Sequence, residues 1–335
     1  MLAVSLFVAS RISRPIRSLK DATQLLASGR LDAPLPPISG NDEVARLTES
    51  FTSMRDSLLV HIEELRATTA ARERIESELD IARSIQMSLI PRTFPPFPKD
   101  DRIDLFAMLE PAREVGGDFY DFFMTDGNHL LLVVGDVSGK GVPAALFMAV
   151  TRSFMKAFAS MTDSVSDDRA DGPAALLSAV NDRIVEGNDA CMFVTLFCAT
   201  VDLRDGSFRY ANGGHPSPWK ISGGRVVPLA RVKGPLVGAV GGVLFEEGAG
   251  RLLPGDSIFM FTDGVTEALN GREELLGEAR VETWLSETSF GNPESTVLLE
   301  RMRERISLFV GGAEQSDDIT MLCFRYKGPE MKTTA

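Results

Sequence analysis

The sequence predicts an α+β fold, in which an antiparallel β-sandwich flanked by helices follows a helical N-terminal region. Apolar residues recur at helical spacing up to about residue 90, and from residue 103 they form short runs separated by turns. These runs follow one another without the regular strand–helix alternation of a parallel sheet. We therefore expect antiparallel sheets with helices packed on their outer faces.

The composition narrows the classes of function. The chain has 335 residues, enough for two domains, of which 44% are hydrophobic and 24% charged, as in soluble globular proteins. Its formal net charge of −12 argues against a nucleic-acid partner, because such binding requires a basic surface. The three cysteines lack metal-ligand spacing and the three histidines are far apart, so we expect no metal site built on them.

Residues 1–10 (MLAVSLFVAS) are apolar and uncharged but too few to span a bilayer, which takes about 20 helical residues. Four basic residues follow before the first acidic residue, Asp21: Arg11, Arg14, Arg17 and Lys20. This distribution is typical of a membrane helix that emerges on the cytoplasmic side of the bilayer. We interpret residues 1–10 as the end of a transmembrane helix and expect the sequence to begin inside it.

Two helices are predicted between residues 15 and 90. The first starts near Pro15 and ends at Gly29, and after a Pro-rich connector Asn41 or Asp42 caps the second. The second carries a heptad seam of Leu47, Phe51, Met54, Leu58, Ile62 and Leu65. The seam fades and then resumes in a shifted register at Ile75, Leu79, Ala82, Gln86 and Leu89. Pro91 ends it, which places a domain boundary at about 91–102.

Two short amphipathic helices, a Pro/Gly connector and the sequence DEVARL resemble a HAMP domain, over residues 11–62. A simple helical hairpin is the alternative. The resemblance implies a parallel homodimer formed through the HAMP domain and a coiled-coil linker at 63–91. It also implies a cytoplasmic catalytic domain anchored to the inner (cell) membrane by the N-terminal helix.

The region from residue 103 contains the predicted sandwich. Its predicted strands are 103–110, 117–124, 129–135, 192–203, 207–211, 219–222, 225–229, 257–262 and 319–326. Its predicted helices are 142–160, 173–187, 272–287 and 293–310.

Aspartates stand at the edges of apolar strands in four places. They lie in the segments GGDFYD, GDVSGKG, FTDG and SDDIT: Asp118 and Asp121, Asp136, Asp263, and Asp317 with Asp318. A single Asp before Gly is ordinary turn chemistry, whereas carboxylates gathered together repel unless cations neutralise them. Oxygen ligands without His or Cys favour Mg²⁺ or Mn²⁺, and a pair of such ions can activate a water and clamp a phosphoryl group.

The same four segments, in this order, resemble the SpoIIE/RsbU branch of the PPM phosphatases over residues 103–327. This manganese- or magnesium-dependent superfamily includes protein phosphatase type 2C. The resemblance implies the PPM fold, two Mn²⁺ or Mg²⁺ ions at one end of the sandwich, and protein serine/threonine phosphatase activity through a metal-activated water.

Carried over to this sequence, the resemblance makes Asp118 and Asp136 catalytic metal ligands. Asp136 would bridge both ions, Asp118 would join it on one, and the backbone carbonyl of Val137 would complete that shell. Asp263 and Asp317 would bind the second ion.

Other residues near the motifs receive supporting roles. Asp318 and Asp121 are expected to support the ligands, Asp121 by fixing its strand. The superfamily's usual phosphate-gripping arginine has no obvious equivalent, and Arg113 is the nearest candidate, with a surface role as the alternative. We interpret Lys140 as a surface lysine, with contact to a phosphate as the alternative. We interpret His215, in NGGHPSP, as a structural residue of a turn, with a place near the site as the alternative.

The substrate that the resemblance implies is a phosphorylated STAS-domain protein, an antagonist of an anti-sigma factor, in bacterial signal transduction. Segments 162–172 and 238–250 are polar or Gly-rich and are predicted to be mobile surfaces that select it. Two alternatives stay open: a HAMP-linked nucleotide cyclase, which requires a βαββαβ order, and a partner-switching module without catalysis.

Overall fold

The computed structural model describes residues 12–31, 34–35, 37, 42–161 and 172–329. The chain divides into two compact units, Met1–Glu78 and Leu79–Ala335. The predicted end of a transmembrane helix at 1–10 lies outside the described residues, as does nearly all of the proposed recognition segment 162–172.

The N-terminal unit is helical. Helix α1 spans Arg14–Ala27, with Pro15 in its first turn as predicted. Helix α2 spans Glu43–Leu89, starts after Asp42, and is continuous where the seam was predicted to fade. The carboxylate of Asp42 caps it by accepting the Ala45 N–H at 3.0 Å.

The apolar seam of helix α2 is exposed in the single chain. Large side chains with 43–66% of their surface exposed follow one another along it: Leu47, Met54, Leu58 and Leu65. An apolar stripe of this kind on an isolated helix indicates a partner helix.

The second unit contains two five-stranded antiparallel sheets. The first has the order β1-β10-β9-β6-β7 and the second β2-β3-β4-β5-β8. The strands are β1 Ile103–Glu110, β2 Phe119–Met124, β3 His129–Val137, β4 Val194–Asp202, β5 Ser207–Gly213, β6 Trp219–Ser222, β7 Arg225–Pro228, β8 Glu247–Arg251, β9 Ser257–Phe261 and β10 Ile319–Tyr326.

The helices of this unit cover the outer faces of the sheets, as the α+β prediction requires. Helices α3 (Val142–Met161) and α4 (Pro173–Val185) pack on the second sheet, and α6 (Glu278–Thr288) and α7 (Ser295–Val310) on the first. A one-turn helix, α5 (Asp263–Thr266), follows β9. The main core lies between the sheets and continues under α3 and α4, and a second core lies under α6 and α7.

Among the described residues, one helical stretch is long and apolar enough to cross a bilayer by length and composition, Val142–Ser160. It forms most of helix α3. Met148 and Met155 on this helix are buried in the core of the sandwich unit, whereas Leu146 and Val150 are exposed.

Two predictions for this unit were wrong in detail. The predicted mobile segment 238–250 includes most of strand β8, which pairs with β5 at the edge of the second sheet. Its glycines face aromatic rings: a Cβ on Gly248 would lie 2.2 Å from the Tyr210 ring, and one on Gly250 would lie 2.4 Å from Phe208. In addition, the helix predicted at 272–287 begins only at Glu278.

Candidate metal centre

The fold brings the four aspartate segments to one end of the sandwich. Strands β2 and β3 are antiparallel, with Phe119 opposite Gly135, so Asp118 and Asp136 lie at the same edge. Strands β9 and β10 are also antiparallel, with Phe261 opposite Met321, so Asp263 and the Asp317–Asp318 pair share an edge of the other sheet.

Asp118 is fixed by two buried threonines. Its side chain is only 3% exposed, and its Oδ2 accepts hydrogen bonds from Thr262 Oγ1 at 2.7 Å and Thr320 Oγ1 at 2.6 Å. Burial raises the pKa of Asp118 well above its usual value, and the charges of Asp136 and Asp318 raise it further. Two hydroxyl donors on one oxygen determine the orientation of this carboxylate.

Asp136 is the electrostatic centre of the group. Burial, followed by the charge of Asp263, raises the pKa of Asp136 to about 7, and Asp317 and Asp318 add to this effect. Asp118 acts in the opposite direction by hydrogen bonding to it. Three neighbouring carboxylates each raise the pKa of Asp136, so Asp136 lies in a region of concentrated negative charge.

Asp263 follows strand β9 and Asp317 precedes strand β10, at the same end of the first sheet. Burial raises the pKa of Asp263, and the charges of Glu267 and Asp317 raise it further. Asp317 is more open, with 40% of its side chain exposed, and Lys140 Nζ lies 3.0 Å from its Oδ2. Lys140 also donates to the Ser316 carbonyl at 2.6 Å. The interpretation of Lys140 as a plain surface residue therefore misses its contact with the acidic cluster.

Asp318 binds the backbone of the segment that precedes Asp118. Its Oδ1 accepts the Ala112 N–H at 2.8 Å, and its Oδ2 accepts the Gly117 N–H at 2.9 Å and the Asp118 N–H at 3.4 Å. Both oxygens are thus engaged by loop amides.

Asp121 points away from the other aspartates. Arg152 Nη2 on helix α3 lies 2.9 Å from its Oδ2, so the two side chains form an ion pair. The same oxygen has no hydrogen-bond partner of regular geometry among the described residues. Burial raises the pKa of Asp121, and Arg152 opposes the increase. The ion pair joins strand β2 to helix α3.

The other two predicted residues occupy different surroundings. Arg113 is exposed on the loop before Asp118 and forms no ion pair within the described part of the chain. His215 is buried; its Nδ1 lies 2.9 Å from Thr195 Oγ1, and Asn212 Oδ1 accepts its backbone N–H at 2.7 Å. Thr195 pairs with Asp136 across β3 and β4, so His215 supports the strand beside the site.

The donor set fits divalent cations, although no ready-made cage is present. Within the ranges that the structure describes, no three acidic, His or Cys side chains are close enough together to form a cation cage. Burial and neighbouring carboxylates nevertheless raise the pKa of Asp118, Asp136 and Asp263, and a divalent cation would relieve the repulsion between these charges. Hard oxygen donors of this kind suit Mg²⁺ or Mn²⁺.

Sequence reasoning missed three residues that contact Asp118 or the loop before it. Thr262 and Thr320 donate to Asp118, and Gln86 was assigned to a coiled-coil seam although its amide contacts Gly116. Threonine next to a motif aspartate, in FTDG and DDIT, was the available signal for the first two. A polar residue at an apolar seam position was the signal for Gln86.

Comparison with known proteins agrees with this geometry. Residues 126–327 match the family described as Stage II sporulation protein E (SpoIIE), a range that includes Asp136, Asp263 and Asp317 but begins after Asp118. Residues 7–59 match the HAMP domain, which confirms the predicted presence of that domain.

Two curated relatives are similar over long stretches. Protein IcfG of Synechocystis sp. is 32% identical over 334 residues, covering 92% of this chain and 50% of that protein. Phosphoserine phosphatase RsbU of Bacillus subtilis is 32% identical over 197 residues, covering 58% of this chain and 55% of that protein. The chain thus spans about half the length of these relatives.

Among solved structures, the SiaA-PP2C domain of Pseudomonas aeruginosa superimposes with a TM-score of 0.66. The alignment covers 77% of this chain and 99% of that domain at 24% identity, which shows a shared fold. The family match, the two stacked antiparallel sheets and the aspartates at one end of them lead to one assignment. The chain belongs to the SpoIIE family of PP2C-type serine/threonine phosphatases and carries an N-terminal HAMP domain.

Proposed function

We propose that this protein is a Mn²⁺- or Mg²⁺-dependent protein serine/threonine phosphatase that acts in bacterial signal transduction. The observation that carries the proposal is the gathering of Asp118, Asp136, Asp263 and Asp317 at one end of the sandwich, where burial and neighbouring carboxylates raise the pKa of the first three. The strand order is that of two stacked antiparallel sheets and differs from βαββαβ, which argues against the nucleotide cyclase alternative.

In this proposal two ions are held by the residues named from the sequence. Asp136 would serve both ions, Asp118 and the Val137 carbonyl would serve the first, and Asp263 and Asp317 would serve the second. Such a pair, when bound, activates a water and stabilises the charge of a transferring phosphoryl group.

The chain's own residues prepare this site. Thr262 and Thr320 orient Asp118 through one of its two carboxylate oxygens. Lys140 lies beside Asp317 and is 39% exposed, so its ammonium can contact a phosphate that approaches from solvent. We therefore place Lys140 ahead of Arg113 as the phosphate-contacting residue.

The proposed substrate is a phosphorylated STAS-domain protein. The support is the similarity to phosphoserine phosphatase RsbU and the membership in the SpoIIE family. A metal centre that needs only a phosphate monoester accepts many substrates, so selectivity requires contacts outside the site. Such contacts contribute binding energy remote from the reacting group.

The HAMP domain supports a membrane-associated signalling role. We propose that the protein is a parallel homodimer, because the seam of helix α2 is apolar and exposed in the single chain. We also propose that the catalytic unit is cytoplasmic and that an N-terminal membrane helix anchors it.

The metal assignment is tested with the full chain on a phosphorylated protein. Activity is expected to disappear after EDTA treatment and to return with Mn²⁺. Asp136→Asn is expected to remove nearly all turnover while the circular dichroism spectrum is unchanged, because it takes a ligand from both ions. Asp101→Asn, at an exposed position outside the site, is the matched control and is expected to keep full activity. Full turnover by Asp136→Asn would reject the assignment.

The substrate assignment is tested by comparing kcat/KM for a phosphorylated STAS-domain protein and for a short phosphopeptide of the same local sequence. We expect a much higher value for the protein, since docking adds remote contacts. Equal values would reject recognition of the STAS domain. Absence of turnover on both, with intact Mn²⁺ binding, would favour the non-catalytic partner-switching module.

A further inference from the structure

Gln86, near the end of helix α2, contacts the loop that precedes Asp118 directly. It lies in the last turn of helix α2, within the same compact unit as the sandwich, and only 6% of it is exposed. Its Nε2 donates to the Gly116 carbonyl at 2.6 Å, and its Oε1 accepts the Gly116 N–H at 3.3 Å. One side-chain amide thus satisfies both polar groups of one buried residue.

Gly116 has little space in which to move. A Cβ at this position would lie 1.9 Å from Asp318 Oδ2, and one on Gly117 would lie 2.7 Å from the Val137 carbonyl oxygen. Asp318 also accepts the Gly117 N–H at 2.9 Å. The Gly116–Gly117 pair is therefore enclosed by Gln86, Asp318 and Val137, immediately before Asp118.

Glycines give this segment many alternative conformations, and its neighbours select one of them. Without Gln86, the N–H and carbonyl of Gly116 would be buried without partners, a state that proteins avoid by local rearrangement. Because two Cβ-free residues precede Asp118, such a rearrangement would move the Asp118 backbone easily. The carboxylate of Asp118 would then leave the position in which Thr262 and Thr320 hold it.

We propose that Gln86 is a positioning residue of the metal centre, which fixes Gly116 and thereby places Asp118 for metal binding. The part of this inference that concerns metal and turnover rests on the proposed function. The part that concerns the loop does not. Ile81 and Ile85, on the opposite side of this helix end, are 59% and 60% exposed, so only one face of the helix contacts the loop.

The test uses the full chain and three variants. Gln86→Leu removes both hydrogen bonds while keeping similar volume, and Gln86→Glu keeps an acceptor for the Gly116 N–H but loses the donor. Ser84→Ala, an exposed position on the same helix, is the control. The first measurement is amide hydrogen exchange of residues 112–119 in metal-free protein. The second is the Mn²⁺ dissociation constant by calorimetry.

Gln86→Leu is expected to speed exchange at Gly116 roughly tenfold or more, as for loss of a buried hydrogen-bond partner, and to leave exchange in β3 unchanged. Gln86→Glu is expected to retain more protection at Gly116 than Gln86→Leu. Mn²⁺ binding by Gln86→Leu should weaken by roughly tenfold, a typical effect of losing a group that supports a ligand.

The inference is overturned if Gln86→Leu lowers thermal stability but matches Ser84→Ala in Gly116 exchange, because Gln86 would then only dock the helix. If the wild-type chain binds no Mn²⁺ or hydrolyses no phosphoprotein, the proposed function fails. The exchange measurement in metal-free protein still decides whether Gln86 positions the loop.

Discussion

His215 should make the sandwich unit sensitive to acid. It is only 5% exposed, and burial lowers its pKa from 6.5 to about 4, with hydrogen bonds opposing the decrease. Its Nε2 has no hydrogen-bond partner of regular geometry among the described residues, and the hydrogen bonds to the Phe261 and Thr195 backbone do not offset the effect of burial. The imidazole is therefore neutral in the folded protein throughout the range in which a free histidine becomes charged.

The sign and size of the effect follow from linkage. Between pH 6.5 and about 4 the unfolded chain binds a proton at this residue and the folded chain does not. The free energy of unfolding therefore decreases as the pH falls through this window. The pKa of His215 decreases from 6.5 to about 4, and at about 1.36 kcal/mol per pH unit this decrease corresponds to roughly 3 kcal/mol of unfolding free energy in total. Above pH 7 His215 is neutral in both the folded and the unfolded chain, so its contribution to the free energy of unfolding no longer changes with pH.

The perturbation is His215→Gln, which keeps a polar side chain but cannot titrate. Urea unfolding is followed through the fluorescence of the two tryptophans, Trp219 and Trp284, both in the sandwich unit. Measurements with EDTA remove competition between protons and metal. At pH 7.5 the variant is expected to be less stable than the wild type because it loses packing, and the difference should shrink by roughly 3 kcal/mol towards pH 4.

The control is His61→Gln, an exposed position on helix α2, which should leave the pH dependence of the tryptophan signal unchanged. Titrating carboxylates contribute equally to wild type and variant, so they cancel in the difference. A parallel pH dependence for His215→Gln and wild type would refute the reasoning. So would an NMR titration of the His215 ring with a midpoint near 6.5.

Three further predictions concern the metal centre and the linker. Thr320→Val removes a donor to Asp118 and should weaken Mn²⁺ binding by roughly tenfold or more, measured by calorimetry; an unchanged affinity would contradict the role assigned to the threonine pair. Lys140→Gln removes a competing cation from Asp317 and should tighten Mn²⁺ binding by up to about fivefold while raising KM for the phosphoprotein; a lower KM would exclude phosphate contact. Insertion of one residue at Thr69 rotates the following part of helix α2 by about 100° and should change turnover; unchanged turnover for insertions of one to four residues would make the linker a tether.

Much of the sandwich was predictable because its strands are buried on at least one face. Apolar runs such as LLLVV in β3 and SIFMF in β9 have no alternative to a core position, and both are buried in the structure. The aspartates were recognisable because each follows or precedes such a run. The position of each of these aspartates at the end of a strand was thus contained in the local sequence.

Strand β8 could not be predicted from its own sequence. The segment EGAGR contains two glycines and has a charged residue at each end, a composition typical of a loop. It is a strand because the adjacent β5 presents Phe208 and Tyr210, whose rings leave room only for glycine opposite them. The determining information lies some 40 residues away in the chain, in the partner strand.

Gln86 was misassigned for a related reason. In a heptad pattern its position belongs to the seam, and periodicity alone does not distinguish a partner helix from the surface of the chain's own sandwich. The structure shows the second case: Gln86 is buried against Gly116, whereas Ile81 and Ile85 are exposed. Beyond Leu79, where the second unit begins, helix α2 is thus covered on the face of Gln86 by the chain's own sandwich.

The contacts around Asp118 explain why this centre forms only in the assembled sandwich. Thr262 and Thr320 reach Asp118 from the first sheet, although Asp118 precedes β2 of the second. Asp318, at the start of β10, binds the Gly117 amide, and Gln86 binds Gly116 from the linker helix. Each contact joins segments that are 30 to 202 residues apart in sequence. The geometry of Asp118 therefore depends on both sheets and on helix α2 together, so a small displacement of that helix has a direct structural path to the proposed metal ligands.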